Sequence, residues 1–279
     1  MAGRGARSDR GTPSGFPGPR RRAGAARRAG GTLGQHFLAG GRLAAELVEQ
    51  AGVGPADLVV EIGAGTGELT LALARRAGRV LAVEYDPRLA ATARRRLAAH
   101  GNVTVVTADA LRMPLPRRPF RVVANLPFGS TEAILRRLLD DPSSPLQRAD
   151  LIVQEEAARR YAAATPATPR TIRWGVWYEL RVQRRLPAAC FRPPPRVTAA
   201  VLVARPRRPP LLPVAGRHRL AALLRAAFRE PHAPLRRSLV PPLSRGQLRR
   251  LARDLDFPLD AGAADLDARQ WAGIVAYLR

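Results

Sequence analysis

The sequence has no lysine and only one cysteine, and both scarcities narrow the possible classes of protein. All 47 basic side chains are therefore arginines. Cys190 by itself excludes an intramolecular disulfide framework and a cysteine-based metal cluster. The four histidines lie scattered, without the spacing of metal ligands. No apolar run approaches the length of about 18 residues that spans a bilayer, and no secretory signal is recognisable. We therefore expect a cytoplasmic protein that binds neither a metal nor a membrane.

Acidic side chains are also scarce. The 22 Asp and Glu residues leave a formal net charge of +25 over 279 residues. Such an excess predicts a polyanionic partner, most simply a nucleic acid. Hydrophobic residues make up 46% of the chain, a share that is ordinary for a globular protein and too high for a wholly disordered one.

Charge and composition divide the chain into three regions. Residues 1–31 hold eight Arg, one Asp and eight Gly, and we interpret them as a disordered basic tail that is either an RNA tether or only a solubilising leader. Residues 32–204 are predicted to form the main domain. A proline-rich break at about 205 precedes residues 205–279, predicted to be a small all-helical domain that helps to bind RNA.

The main region alternates apolar, strand-like runs with helical stretches. The strand candidates are 58–62, 80–84, 103–106, 121–125 and 151–154, and the helix candidates are 67–77, 87–100 and 130–140. This alternation predicts an α/β fold with a mostly parallel sheet. Two more strands, near 176–183 and 197–204, are expected to pair antiparallel at the sheet edge. Further helices are predicted at 220–228, 247–255 and 266–278.

A glycine-rich turn follows the first predicted strand, from Glu61 through Gly63 and Gly65. Glycines there permit a tight turn and a close approach of ligand to backbone. The dinucleotide fingerprint would need glycine or alanine where Glu68 stands, and a carboxylate at a helix start repels pyrophosphate. A cofactor without phosphate therefore fits better.

Acidic residues follow at the ends of the next two strands. Glu84 can accept hydrogen bonds from two ribose hydroxyls, and Asp109 with Ala110 closes the third strand, where the carboxylate can meet an adenine amino group. Together with the glycine turn these residues predict binding of S-adenosylmethionine. The alternative is a set of strand-end turns with ordinary solvated acids.

The fourth strand ends in Asn125-Leu126-Pro127-Phe128, which suits methyl transfer to an exocyclic amine. Such an amine is a poor nucleophile because its lone pair is delocalised into the ring. Acceptors on the Asn125 side chain and the Leu126 carbonyl would favour a tetrahedral nitrogen. Pro127 would restrict the turn, and Phe128 could stack on a flipped base, a contact worth about 1–3 kcal/mol. The alternative is a simple turn followed by a core phenylalanine.

The motifs, taken in order, resemble those of the rRNA adenine N6-dimethyltransferases, and most of all the erythromycin-resistance enzymes that act on 23S rRNA. The resemblance covers 32–204 well and the C-terminal helices loosely. It rests on residues 34–38, 61–67, 84, 109–110, 125–128, 151–156 and 191–197, and on the region of Trp174 and Trp177. It implies a class I S-adenosylmethionine-dependent methyltransferase fold, Rossmann-like with seven strands, and monomeric action on one adenine of 23S rRNA before 50S assembly is complete, with macrolide resistance as the consequence.

The resemblance also implies roles for single residues. Those that close over or bind the cofactor are Gln35, His36, Leu38, Glu61, Gly63, Gly65, Glu84, Asp109, Ala110 and Asn125. Those beside the flipped base are Asn125, Leu126, Pro127, Phe128 and Phe191. The family more often has asparagine where His36 stands. Core packing is the alternative for Phe191.

Arginine pairs are candidate phosphate contacts, and we expect Arg136-Arg137 and Arg159-Arg160 to line the rim of the cleft. The tryptophans near 174–177 are expected in the core. Three alternative functions remain: a 16S rRNA dimethyltransferase of small-subunit assembly, a DNA adenine methyltransferase, for which no extended DNA-recognition domain is evident, and a non-catalytic RNA-binding protein.

Overall fold

The computed structural model describes residues 36–163, 168–239 and 243–278. The predicted tail and Gln35 lie outside the described residues. The strands are β1 (Phe37–Leu38), β2 (Leu58–Ile62), β3 (Arg79–Glu84), β4 (Val103–Thr107), β5 (Phe120–Asn125), β6 (Leu146–Gln154), β7 (Tyr178–Leu186), β8 (Phe191–Arg192) and β9 (Ala199–Pro206). The helices are α1 (Gly41–Gln50), α2 (Glu68–Ala74), α3 (Pro87–Arg96), α4 (Thr131–Leu139), α5 (Glu155–Tyr161), α6 (Pro169–Trp177), α7 (Arg217–Ala227), α8 (Arg236–Leu239), α9 (Arg245–Asp254) and α10 (Ala268–Tyr277).

Seven of the strands form one sheet in the order β4-β3-β2-β5-β6-β9-β7. The first five are parallel, whereas β9 is antiparallel to both β6 and β7. The predicted seven-stranded, mostly parallel sheet is thus confirmed. The chain runs outward from β2 to β4 and then returns to β5 beside β2. Ligands bind in α/β sheets at such a reversal of strand order, outside the carboxyl ends of the strands.

Several elements differ from their predicted bounds. The sequence patterns missed α1, α5, α6, α8 and the short pair β1 and β8. The strand predicted from 176 begins at Tyr178, because the two preceding residues finish α6. Asp109 was expected to close the third predicted strand, which is β4. That strand ends at Thr107, so Asp109 lies beyond it. The two C-terminal strands pair antiparallel at one edge of the sheet, as predicted, with β7 outermost and β9 between β6 and β7.

The side chains of α6 explain why its sequence does not read as a surface helix. Trp174 and Trp177 are buried, as expected. The Trp174 indole N–H donates to Asp140 Oδ1 at 2.8 Å, and that of Trp177 donates to the Leu212 carbonyl at 2.8 Å. The same apolar cluster includes Trp271 of α10, so the C-terminal helices and the sheet share a core. The predicted domain boundary near 205 stays a prediction.

Within the described ranges, every helix is too short or too polar to cross a bilayer.

Candidate active site

A cavity of about 420 Å³ opens at the carboxyl ends of the central parallel strands. Because these ends meet at one edge of the sheet, motifs that are far apart in sequence come together there. Predicted site residues that line the cavity are His36, Gly63, Gly65, Glu84, Asp109, Ala110, Asn125, Leu126, Pro127 and Phe128. Leu38, Glu61 and Phe191 do not line it.

The glycine turn after β2 adopts a backbone that only glycine takes readily. Gly63 has φ of +80° and Gly65 has φ of +56°. The Gly63 N–H donates to the Val83 carbonyl at 2.8 Å, which ties the turn to β3. A Cβ added to Gly65 would stand 2.8 Å from the ring of Phe37. The missing side chain therefore lets the N-terminal segment lie directly on the turn.

Glu84 holds two loops of the cavity together. Its Oε2 accepts from the Gly65 N–H at 2.8 Å, and its Oε1 accepts from the Asp86 N–H at 2.9 Å. The side chain is buried. Each carboxylate oxygen has a further lone pair, so contact with a ligand hydroxyl remains available. Sequence reasoning identified only the ligand role, because the bonds to the backbone depend on the loops being folded.

Glu61 lies beside the cavity, buried behind its wall. Its Oε2 has no hydrogen-bond partner in the part of the chain that the structure describes. Burial raises the pKa of the Glu61 carboxyl to about 8, and the nearby Glu84 carboxylate acts in the same direction. Glu61 is thus a neutral acid at pH 7, an environment that the sequence does not reveal.

The turn after β5 presents its polar groups to the cavity. The Asn125 amide donates through Nδ2 to the His36 carbonyl at 2.7 Å. The Pro127 carbonyl accepts from both the backbone N–H of Ser130, at 2.9 Å, and its hydroxyl, at 2.8 Å, which stabilises the turn. The ring centroids of Phe128 and His36 are 5.7 Å apart. This turn therefore combines hydrogen-bond acceptors with an aromatic face.

The N-terminal segment is attached to the site by a two-stranded clasp. In it β1 and β8 run antiparallel, with Phe37 opposite Arg192 and Leu38 opposite Phe191. Leu38 and Phe191 are both buried in the same apolar cluster. Phe191 is only 2% exposed, so this register covers the ring that was expected beside the flipped base.

Sequence reasoning missed several side chains of the cavity, among them the two most exposed. Tyr85 and Leu111 are 77% and 40% exposed, and both line the cavity. Each directly follows a predicted ligand position, Glu84 or Ala110. Their place directly after a predicted ligand position was the signal that could have identified them. An exposed aromatic at a strand end can cover the face of a flat ligand.

The predicted phosphate contacts lie outside the cavity lining. Arg137 donates to the Met113 carbonyl at 2.6 Å, a structural contact. Arg159 pairs with Glu155 at 2.7 Å, and the guanidinium of Arg160 lies 5.0 Å from the ring centre of Tyr161. Arg136 is exposed in the last turn of α4. The predicted place of these arginines at the rim of the cleft stays a prediction.

The composition of the cavity lining selects a class of ligand. Carboxylates of Glu84 and Asp109 suit hydroxyl and amino groups, and no arginine among the described residues lines the cavity. Without a cation to hold phosphate, and with acids that favour positive charge, the lining fits a phosphate-free nucleoside with a cationic centre. S-adenosylmethionine has this chemistry.

Comparison with known proteins agrees with this geometry. The model of the family described as "Ribosomal RNA adenine dimethylase" matches residues 27–279. An rRNA adenine N-6-methyltransferase of Bacillus licheniformis is 31% identical, covering 86% of this chain and 84% of its own length. A ribosomal RNA small subunit methyltransferase A of Rubrobacter xylanophilus is 37% identical, covering 87% and 92%. The crystal structure of the 23S rRNA methyltransferase ErmE matches with a TM-score of 0.77 and 29% identity, covering 87% of this chain and 99% of ErmE.

The family match covers all of the described residues, and the fold and the cavity chemistry agree with it. The chain therefore belongs to the ribosomal RNA adenine dimethylase family and is an S-adenosylmethionine-dependent rRNA adenine N6-methyltransferase.

Proposed function

We propose that this enzyme methylates N6 of one specific adenine in 23S rRNA and thereby confers resistance to macrolide-type antibiotics. The likeness to ErmE carries the proposal, because it extends over 99% of that 23S rRNA methyltransferase, including the C-terminal part. The rRNA substrate implies action in the cytoplasm, and the chain would act as a monomer.

On this proposal the cofactor is held by the acid-rich part of the cavity. Glu84 and Asp109 accept hydrogen bonds from hydroxyl and amino groups, the turn at Gly63 and Gly65 lets the backbone approach closely, and Tyr85 covers a ring face. The bound cofactor supplies an electrophilic methyl group. Its cationic centre is favoured by the carboxylates that line this part of the cavity.

The acceptor adenine would lie against the turn after β5. Asn125 Oδ1 and the Leu126 carbonyl accept its two amino hydrogens, and Phe128 stacks on the ring. The amine becomes cationic on transfer and loses a proton afterwards, so no general base is required. Positioning and electrostatic stabilisation therefore supply the rate.

Methyl incorporation into protein-free 23S rRNA tests the substrate. We expect labelling of a single adenine, located by mass spectrometry of rRNA fragments. Asn125→Ala should lower the rate by at least about 100-fold, the typical effect of losing a transition-state hydrogen bond, without unfolding the protein. A folded, cofactor-bound enzyme that leaves 23S rRNA unlabelled would refute the 23S assignment.

A 16S rRNA substrate is the second candidate. The 37% identity to a small subunit methyltransferase A over 249 residues favours it. Competition between naked 23S rRNA and assembling 30S particles separates the two candidates. Expression in a sensitive host gives an independent readout, because only 23S methylation should raise the inhibitory macrolide concentration, and the Asn125→Ala variant should not.

The arginine-rich surface would supply RNA affinity. We propose that the basic tail and the C-terminal helices add phosphate contacts to those of Arg136, Arg159 and Arg160. Arg192 joins this set, since it is exposed and pairs in β8 with Phe37, whose ring lines the cavity. Arg137 is left out because its guanidinium holds the Met113 carbonyl.

A further inference from the structure

His36 connects three segments that lie far apart in the sequence. Its backbone carbonyl accepts from Asn125 Nδ2 at 2.7 Å, and its ring Nδ1 lies 2.8 Å from the Pro193 carbonyl. Its ring is tilted by 34° to that of Phe128, with centroids 5.7 Å apart. His36 thus links the turn after β5 to the segment after β8.

We propose that His36 is a positioning residue for the acceptor adenine, acting through Asn125 and Phe128. This inference rests on the acceptor roles proposed above for these two residues. The position after Gln35 was expected to contact the cofactor, whereas the contacts of His36 with Asn125 and Phe128 lead to the acceptor side of the cavity.

The carbonyl of His36 determines which way the Asn125 amide faces. A backbone carbonyl can only accept a hydrogen bond, so the amide end beside it must be the NH₂ group. Rotating the amide would bring two acceptor oxygens together and lose the bond. Asn125 Oδ1 receives no protein hydrogen bond within the described ranges and is left to accept from the acceptor amine.

The imidazole holds that carbonyl in place. Because the Pro193 carbonyl only accepts, Nδ1 of His36 must carry the hydrogen. The bond attaches the N-terminal segment to the residues that follow β8, beside the clasp. Loss of the side chain would free the backbone of residue 36, and with it the orientation of the Asn125 amide.

The imidazole ring also extends the aromatic surface of Phe128. Aromatic side chains in contact give a flipped base a larger stacking face. The two functions of His36 are separable, because phenylalanine keeps a ring without the Nδ1–H donor, whereas asparagine keeps a donor without a ring. A merely structural role would not separate in this way.

The experiment compares His36→Ala, His36→Phe and His36→Asn with wild type, on the rRNA that the wild-type enzyme methylates. We measure the Kd for S-adenosylmethionine, kcat and KM for RNA, and the fluorescence of 2-aminopurine placed at the target adenine, which reports base stacking. His100→Ala, at a half-buried histidine in the turn before β4 that does not line the cavity, is the matched control. Thermal melting shows which variants fold.

We expect His36→Ala to keep the cofactor Kd within about twofold and to lose at least about tenfold in kcat, with a weaker stacking signal. His36→Phe should recover the stacking signal but not kcat. His36→Asn should recover a larger share of the wild-type kcat than of the wild-type stacking signal. If His36→Ala does not fold, the other two variants carry the same comparison.

A variant set that weakens cofactor binding and leaves kcat and stacking unchanged would overturn the proposal, as would a set with no effect at all. An absence of 23S rRNA methylation by the wild-type enzyme would be a separate result. It would refute only the proposed substrate, and the variants would then be compared on 30S particles.

Discussion

At the scale of single residues, the cavity uses side chains that serve two neighbours at once. Glu84 holds two loops by their backbone N–H groups while its remaining lone pairs stay available to a ligand. His36 holds Asn125 by its carbonyl and the segment after β8 by its ring. Substitution of Glu84 should therefore affect the two loops as well as ligand binding, whereas substitution of His36 should affect positioning.

Gly65→Ala should damage this site specifically. The positive φ and the ring of Phe37, 2.8 Å from the new Cβ, predict a loss of about 1–3 kcal/mol in unfolding free energy, and weaker cofactor binding. Denaturant unfolding and calorimetry measure the two effects. Gly101→Ala is the control, because that position has open space and no positive φ. Equal effects of Gly65→Ala and Gly101→Ala would contradict a specific role of Gly65 in the site.

Glu61 predicts a particular dependence of stability on pH. Its folded pKa of about 8 lies above the ordinary value of 4.5, so the unfolded chain loses this proton first as pH rises. The contribution of Glu61 to the free energy of unfolding is therefore fully present below about pH 4.5 and is lost as the pH rises to about 8. The loss amounts to at most about 5 kcal/mol.

Glu61→Gln, which mimics the neutral acid, should remove this dependence. The Tm of the variant minus that of wild type, both measured without cofactor, should increase from pH 5 to pH 8.5. A gap that stays constant over this range would show that Glu61 is ionised in the folded protein.

At the scale of elements, a buried ion pair joins β6 to its surroundings. Arg148 and Asp150 pair through two bonds of 2.6 Å on the same strand. The guanidinium also donates to the carbonyl of Gln50, at the end of α1, and to the side chain of Gln183 in β7. Both charged side chains are nearly inaccessible, so neither can turn to water if its partner is lost.

Arg148→Ala should lower the unfolding free energy by about 3–5 kcal/mol, because it leaves a buried carboxylate unpaired. Replacing both residues by apolar ones should recover most of the loss. Arg159→Ala, which breaks the exposed pair with Glu155, is the control and should change stability little. Denaturant unfolding decides between these outcomes, and similar losses for both single variants would contradict the prediction.

At the scale of the whole molecule, the chain carries a net charge of +25, whereas no arginine within the described ranges lines the cavity. We therefore expect different groups to carry the affinity for RNA and the recognition of the target base. The charge predicts that RNA binding falls steeply with salt, because each phosphate contact releases counterions.

Arg192→Ala should weaken RNA binding and reduce the slope of log K against log[salt] by about 0.7–0.9, the value for one phosphate contact. Arg75→Ala is the matched control, since Arg75 is exposed at the end of α2, away from the edge that carries the cavity. Filter binding at several salt concentrations measures both slopes. Equal slopes for the two variants would exclude Arg192 as a phosphate contact.

Much of this organisation could be predicted from the sequence. The parallel strands from 58 to 154 lie close to their expected positions, because apolar β-branched runs bounded by turns are local signals. The elements that the sequence patterns missed combine residues typical of strands with residues typical of helices. In α6, tryptophans and an isoleucine resemble a strand, whereas the capping box of Thr168 and Thr171 and the proline at the helix start favour a helix. Packing against the C-terminal helices then buries the apolar side chains.

The sequence by itself determined the α/β class, the family and most residues of the cavity lining, because each motif is contiguous and follows a recognisable strand. Tertiary structure alone decided which motifs touch. The His36 carbonyl reaches Asn125 across 89 positions, and Phe191 is turned into the core opposite Leu38 rather than toward the cavity. Such contacts depend on strand register and on packing between distant segments, which no local pattern encodes.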